Sequence, residues 1–280
     1  MLTKQHIVIK GKHNKPILID VTYTGTLKTK PIVIFCHGYK GFKDWGAWNL
    51  MAEAFANKDI YFLKFNFSHN GGTVEQPIDF PDLDAFGNNN YTKELDDLET
   101  VIDWVYTNAD IKTIANVENI ILIGHSRGGG ISLIKAQENY KIKGIISWAS
   151  VCNFGSRAPI SGNTDSWKKT GVKYVVNGRT NQDMPHYYQF YEDFIANKER
   201  LDIKCAVSKL KIPHLIIHGD KDISVLPIEA QHLHKWNTNS QLEIINDADH
   251  VFGVRHPWNR DEIPPQLTEV ITKTIAFIKN

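Results

Sequence analysis

Nearly uninterrupted apolar runs alternate along this chain with segments whose apolar residues return every three or four positions. The runs are PIVIFCHG (31–38), IYFLKFNF (60–67), NIILIG (119–124), KGIISWAS (143–150), PHLIIHG (213–219) and LEIIN (242–246). Strands that are apolar on both sides are what a parallel sheet covered on both faces requires. Two earlier strands, near 5–10 and 16–24, predict an antiparallel start. Between the runs, DWGAWNLMAEAFANK places Trp48, Met51, Ala52 and Phe55 on one helical face. YTKELDDLETVIDWVYTNA does the same with Leu95, Leu98, Ile102 and Val105, with Thr92 as the expected N-cap. PIEAQHLHKW and PQLTEVITKTIAFIK supply two further helices. The alternation predicts one α/β domain over residues 1–280, a mostly parallel central sheet with helices on both faces.

One segment departs from this rhythm. Residues 153–209 separate two good strands where a crossover helix needs about a dozen. The segment is polar and aromatic, and it reads as a small cap inserted over the carboxyl ends of the strands.

Composition removes several function classes. A formal net charge of +1, with both signs interspersed, offers no electrostatic footprint for nucleic acid or an anionic membrane. No run approaches the roughly 20 apolar residues that span a bilayer, and the amino terminus lacks a signal-like apolar core. Cys36, Cys152 and Cys205 are too few and too irregularly spaced for a disulfide framework or a C-x-x-C site. With no H-E-x-x-H either, no metal or cofactor is expected. The expectation is a cytoplasmic protein acting on a small molecule, with a homodimer left open.

The chemistry gathers at the ends of the strands. ILIGHSRGG carries G-x-S-x-G at Gly124, Ser126 and Gly128, between a strand and a helix. A serine on so tight a turn takes strained backbone angles, and side chains two positions to either side would collide with it. A glycine-rich turn without chemistry and a phosphate loop are the competing readings, but G-x-G-x-x-G and G-K-[ST] are both missing. Acyl transfer needs two donors aimed at the developing oxyanion. The backbone N–H of Arg127 follows the serine, and the loop HGYKG after the third strand offers that of Tyr39.

With H-G-Y-K-G, G-H-S-R-G-G, H-G-D-K-D and D-H-V-F in this order, the chain from about residue 30 onward resembles the α/β-hydrolase fold family. It is similar to the small esterases of the cinnamoyl/feruloyl-esterase and dienelactone-hydrolase-related branches. Dienelactone hydrolases proper use a cysteine nucleophile, and this elbow carries Ser126. The resemblance implies a triad in the order Ser, Asp, His. Asp222 is the expected acid, with Asp220 as competitor; His250 is the expected base, with His256 as competitor. His218 ends its strand beside the acid loop, placed to support it.

Substrate selection is less legible. HYYQFYEDF offers Tyr188 and Tyr191 as an aromatic wall, although such a stripe equally serves to dock a cap. His69, in NFSHNGG after a strand end, is a candidate for lining the cleft; Trp45 and Trp48 read as core. The expected activity is a serine carboxylesterase that cleaves esters of small to medium acyl or aryl-acyl groups through an acyl-enzyme. A thioesterase and a peptidase of the prolyl-oligopeptidase-like branch share the chemistry, but 280 residues leave no room for a propeller. A non-catalytic binding protein on the same scaffold would be expected to show a broken triad.

Overall fold

The computed structural model describes residues 1–25, 29–160 and 163–280. β1 (Leu2–Lys10) and β2 (Pro16–Thr24) form an antiparallel hairpin, and β3 (Lys30–Cys36) leads into α1 (Trp48–Ala56) and β4 (Tyr61–Asn66). Three helices follow, α2 (Leu83–Gly87), α3 (Tyr91–Thr107) and α4 (Ala109–Ile114). β5 (Ala115–His125), α5 (Arg127–Glu138) and β6 (Ile142–Trp148) come next. The inserted segment holds α6 (Thr164–Thr170), β7 (Val172–Val176), β8 (Asp183–Tyr187), α7 (Gln189–Ala196) and α8 (Ile203–Ser208). The chain closes with β9 (His214–Gly219), α9 (Pro227–Trp236), β10 (Gln241–Ile245) and α10 (Pro265–Lys279).

Among the described residues, eight strands form one sheet in the order β1-β2-β4-β3-β5-β6-β9-β10. β1–β2 and β2–β4 pair antiparallel, and every other pair is parallel. The period of two along β3 divides the core. Ile32 and Ile34 face one side with Leu95, Leu98 and Ile102 of α3 and Ile134 of α5. Val33 and Phe35 face the other with Met51 and Phe55 of α1 and Val270 and Ile271 of α10. Both faces are buried, which is why these strands carry no polar alternation. Lys64 interrupts β4, and its Nζ is held by Asp20 at 2.7 Å and Asp44 at 2.6 Å.

Two local expectations shift. α3 starts before Thr92: Asn90 takes extended angles and its side chain accepts from Lys93 N, so Asn90 is the N-cap. The earlier start buries Tyr91, whose ring stacks on Phe154 at 4.0 Å. The segment 153–209, of which residues 161 and 162 lie outside the described residues, contains the antiparallel pair β7–β8 besides its helices. Nothing in its hydrophobic pattern signalled that hairpin. Val172–Val176 alternates weakly, and Asp183–Tyr187 contains a proline, which argues against a strand.

Candidate active site

Ser126 stands between β5 and α5 with φ 57° and ψ −120°, a conformation that is costly for any residue with a Cβ. Backbone bonds hold it there: Ser126 N donates to Trp148 O at 3.0 Å, and Ser126 O accepts from Val151 N at 3.2 Å. The glycines act through close approach. A Cβ on Gly124 would lie 2.4 Å from Gly128 O, and one on Gly128 would lie 2.4 Å from both Cys36 O and His37 O. The turn can therefore pack against the end of β3 only with hydrogen at both positions. A Cβ on Gly38 would in turn lie 2.8 Å from Ser126 Cβ, so the loop after β3 passes directly against the serine.

The loops that carry Asp222 and His250 converge on the same point. The Ser126 hydroxyl donates to His250 Nε2 at 3.0 Å, and His250 Nδ1–H donates to Asp222 Oδ2 at 2.7 Å. Asp222 Oδ1 accepts from the N–H groups of Ser224 at 2.8 Å and Val225 at 2.9 Å. His218 Nε2, which donates to Val225 O at 2.8 Å, also lies 3.2 Å from Asp222 Oδ2. Burial alone would raise the Asp222 carboxyl, but the bonds from His218 and His250 and the Val225 N–H together hold it well below the usual carboxylate range. His125, the residue before Ser126, donates from Nε2 to His250 O at 2.8 Å and lies against its ring at 4.8 Å. Burial, reinforced by the charge of His250, pushes the His125 pKa down to about 3, which keeps it a neutral support for the loop bearing His250.

His37 and Gly38 shape the loop after β3. His37 Nδ1–H donates to Gly38 O at 2.9 Å, while its Nε2 accepts from Phe67 N at 3.4 Å. Burial lowers its pKa to about 4, so the ring is neutral. Beyond it lies Tyr39, whose ring carries the Arg127 guanidinium 4.4 Å from its centroid. Arg127 is also flanked by Tyr91 at 5.3 Å and Phe190 at 5.4 Å, and reaches Glu94 Oε1 at 3.4 Å.

Two cavities open on Ser126. The larger, about 660 Å³, is lined by Tyr39, Arg127, Val151, Val225 and His250 from the body, and by Ser156, Arg157, Ile160 and Val175 from the inserted segment. The smaller, about 120 Å³, lies between the HGYKG loop, Trp45, Trp48 and His125. Trp48 is a core residue, as its helical spacing suggests, and it forms part of this second wall as well.

The structure thus brings Ser126, Asp222, His250, Tyr39 and Arg127 together, and separates other candidates from them. Asp220 does not reach His250; its nearest ionic partner is Lys221 at 3.5 Å. His256 accepts from Gly46 N at 2.9 Å and packs between Phe42 and Trp45. His69 is buried against Ser68 at 2.8 Å, with His13 at 6.3 Å, and lines neither cavity. Tyr188 and Tyr191 also line neither; they pack on Trp167 and on each other. Sequence reasoning missed Val175 and Ile160 as cavity wall, and only the position of an insertion between β6 and β9 could have pointed to them.

A family model described as BD-FAE matches residues 22–237, more than half of the chain. The chain belongs to that family. Solved structures agree in architecture. Est1E from Butyrivibrio proteoclasticus superposes with a TM-score of 0.71 at 16% identity, covering 98% of this chain and 99% of that one. The same protein with ferulic acid bound gives 0.70 at 16% identity, covering 96% and 98%. Dienelactone hydrolase from Anabaena variabilis gives 0.65 at 16% identity over 99% of this chain and 97% of that one. The monoacylglycerol lipase ABHD6 of Rattus norvegicus is 21% identical over 286 residues, covering 89% of this chain and 78% of the lipase. The architecture is the α/β-hydrolase fold, and this member of the BD-FAE family is a hydrolase of the esterase class.

Proposed function

We propose that the protein hydrolyses carboxylic esters of small to medium acyl or aryl-acyl groups through an acyl-enzyme on Ser126. One observation carries the assignment: a strained serine, bonded at 3.0 Å to a histidine that is bonded at 2.7 Å to a buried aspartate, opens on a cavity of about 660 Å³. In this reading His250 Nε2 takes the hydroxyl proton as Ser126 Oγ attacks the ester carbonyl. Asp222 holds the Nδ1–H tautomer and stabilises the imidazolium that forms. The N–H groups of Tyr39 and Arg127 take the oxyanion. Arg127 is the first residue of α5, so its N–H has no partner within the helix and lies at the positive end of the dipole. Collapse breaks the C–O bond of the ester, and the alcohol leaves with the proton from His250. Water, deprotonated by the same ring, then attacks the acyl-enzyme and releases the acid and the free Ser126 hydroxyl.

Val151, Ile160, Val175 and Val225 make the larger cavity apolar enough for an acyl or aryl-acyl group. The ferulic acid bound by Est1E on the same fold makes aryl-acyl esters worth including in the assay. Among the described residues, no helix is long and apolar enough to cross a membrane. Cys36, Cys152 and Cys205 are all free, which supports the cytoplasmic setting expected from the sequence.

The test is turnover of p-nitrophenyl acetate, butyrate and octanoate, methyl ferulate and an acyl-CoA by the intact chain and by Ser126→Ala. We expect ester hydrolysis that Ser126→Ala lowers by about 10⁴-fold or more. Equal rates in the two proteins would overturn the reading, and turnover confined to the acyl-CoA would make the protein a thioesterase.

A further inference from the structure

Tyr39 joins two parts of the molecule that are far apart in sequence. Its hydroxyl lies 2.7 Å from Nε2 of His186, on strand β8 of the inserted segment. The direction of that bond is settled by the far side of the ring. His186 Nδ1 faces the Met184 carbonyl at 3.1 Å and must carry the proton, so Nε2 accepts and the tyrosine donates. Burial, with the charge of Arg127 beside it, holds the His186 pKa at about 3, so the ring remains a neutral acceptor across the physiological range.

The hairpin bearing His186 is docked on the body. The Tyr187 hydroxyl donates to Asp84 Oδ1 at 2.9 Å, and Gln182 Nε2 donates to Phe80 O at 3.1 Å. The Tyr187 ring sits so close to α2 that a Cβ on Gly87 would approach it to 2.9 Å. Met184 joins Phe42, Phe80 and Phe86 in a small buried cluster beneath the same hairpin. Tyr39 thus has its hydroxyl on the hairpin and its ring against the guanidinium of Arg127. The two residues whose backbone N–H groups are assigned to the oxyanion are stacked on each other, and one of them is tied to the insertion.

We propose that His186 is a positioning residue for the oxyanion site: by accepting the Tyr39 hydroxyl it fixes the loop that presents the Tyr39 N–H. The hairpin β7–β8 then has two functions, as wall of the acyl cavity through Val175 and as latch of the oxyanion loop. This rests on the ester-hydrolase reading above. Its physical basis is that a donor misaimed by a fraction of an ångström stabilises the tetrahedral intermediate less, while the ground-state ester, held mainly by the cavity, is little affected.

The experiment compares Tyr39→Phe, His186→Phe, the double variant and His186→Gln with the unaltered chain on p-nitrophenyl butyrate. Affinity for butaneboronic acid, which forms a tetrahedral adduct on the serine, is measured in parallel. Each single Phe variant is expected to lower kcat about tenfold and weaken the boronate by a similar factor, with KM changed by less than about twofold. The double variant should be no worse than the more affected single one, because both remove the same bond. His186→Gln, which restores an acceptor, should recover part of kcat. Undiminished kcat and boronate affinity in Tyr39→Phe would overturn the latch, as would additive losses in the double variant. Tyr39→Phe keeps the ring and removes one oxygen, so it tests the bond even if His186→Phe fails to fold. Ser126→Ala, run alongside, separates the two ideas: its loss of turnover supports the hydrolase reading, while Tyr39→Phe alone judges the latch.

Discussion

Asp222 and Asp97 are both buried aspartates, 2% and 0% exposed, yet their surroundings act on them in opposite directions. Asp222 sits in the loop after β9 among four donors: two backbone N–H groups and two histidine rings. Those donors overcome the cost of burial, and its carboxyl is held below the usual range. Asp97 lies within α3 and accepts from Ser68 N at 2.7 Å, while its Oδ1 has no hydrogen-bond partner among the described residues. Burial prevails there and raises the carboxyl to about 7, against the pull of the bonds to Ser68. Depth therefore does not decide whether a carboxylate is ready to stabilise an imidazolium; the number and direction of the donors facing it do.

The largest test of that contrast is Asp222→Asn, which we expect to lower kcat for p-nitrophenyl butyrate by roughly 10³–10⁴-fold, because an amide no longer favours the productive tautomer of His250. Asp220→Asn, two residues away, should stay within about threefold of the unaltered chain, and the reverse ranking would move the acid to Asp220.

A middle-sized effect is expected from His218→Leu, which removes one donor from Asp222 but leaves the bond to His250. Stopped-flow measurements should show kcat lowered about tenfold. In a melting series, the depressed carboxyl of Asp222 gives stability that is present above the unfolded value of about 4 and lost as pH falls through the folded one. His218→Leu should therefore make Tm fall earlier on acidification. An unchanged acid limb would mean that the backbone N–H groups alone set this carboxyl.

The smallest effect concerns Asp97, and its sign is opposite. A carboxyl raised to about 7 contributes stability that is fully present below the unfolded value and lost as pH rises through the folded one. Asp97→Asn keeps an acceptor for Ser68 N and carries no charge. At pH 8 it should raise Tm by roughly 2–4 °C, and at pH 4 the gain should vanish. A loss of stability at pH 8 would show that the ionised carboxylate is satisfied after all.

The two halves of the site differed in how far they could be read before folding. Gly124, Ser126 and Gly128 form a short motif. A Cβ on Gly124 would meet Gly128 O within the turn, and one on Gly128 would meet the end of β3, so the local string shows both glycines although β3 supplies the second constraint. Asp222 and His250 were expected from the chain order of the family the sequence resembles, with Asp220 and His256 as competitors, and Tyr39 from its place after β3. His218 was visible only as a neighbour of the acid loop, and its bond to Asp222 requires the local turn to be formed. The insertion was legible as an interruption and little more. Its hairpin has weak alternation and a proline, and its tyrosines show a helical stripe that packs on Trp167 instead of facing the cavity.

Periodicity and short motifs alone determined the parallel sheet, its antiparallel start, and a strained serine at the sheet's carboxyl edge. These leave a local mark on the string even though distant strands complete them: strands buried on both faces are apolar at nearly every position, and the turn at Ser126 carries glycine on either side. Tertiary structure alone decided that Val175 and Ile160 wall the cavity, that His69 lies away from it, and that the Tyr39 hydroxyl meets His186 across 147 positions. Each depends on how an irregular segment docks on the body, and docking is a sum of side-chain contacts between distant residues that no local pattern encodes.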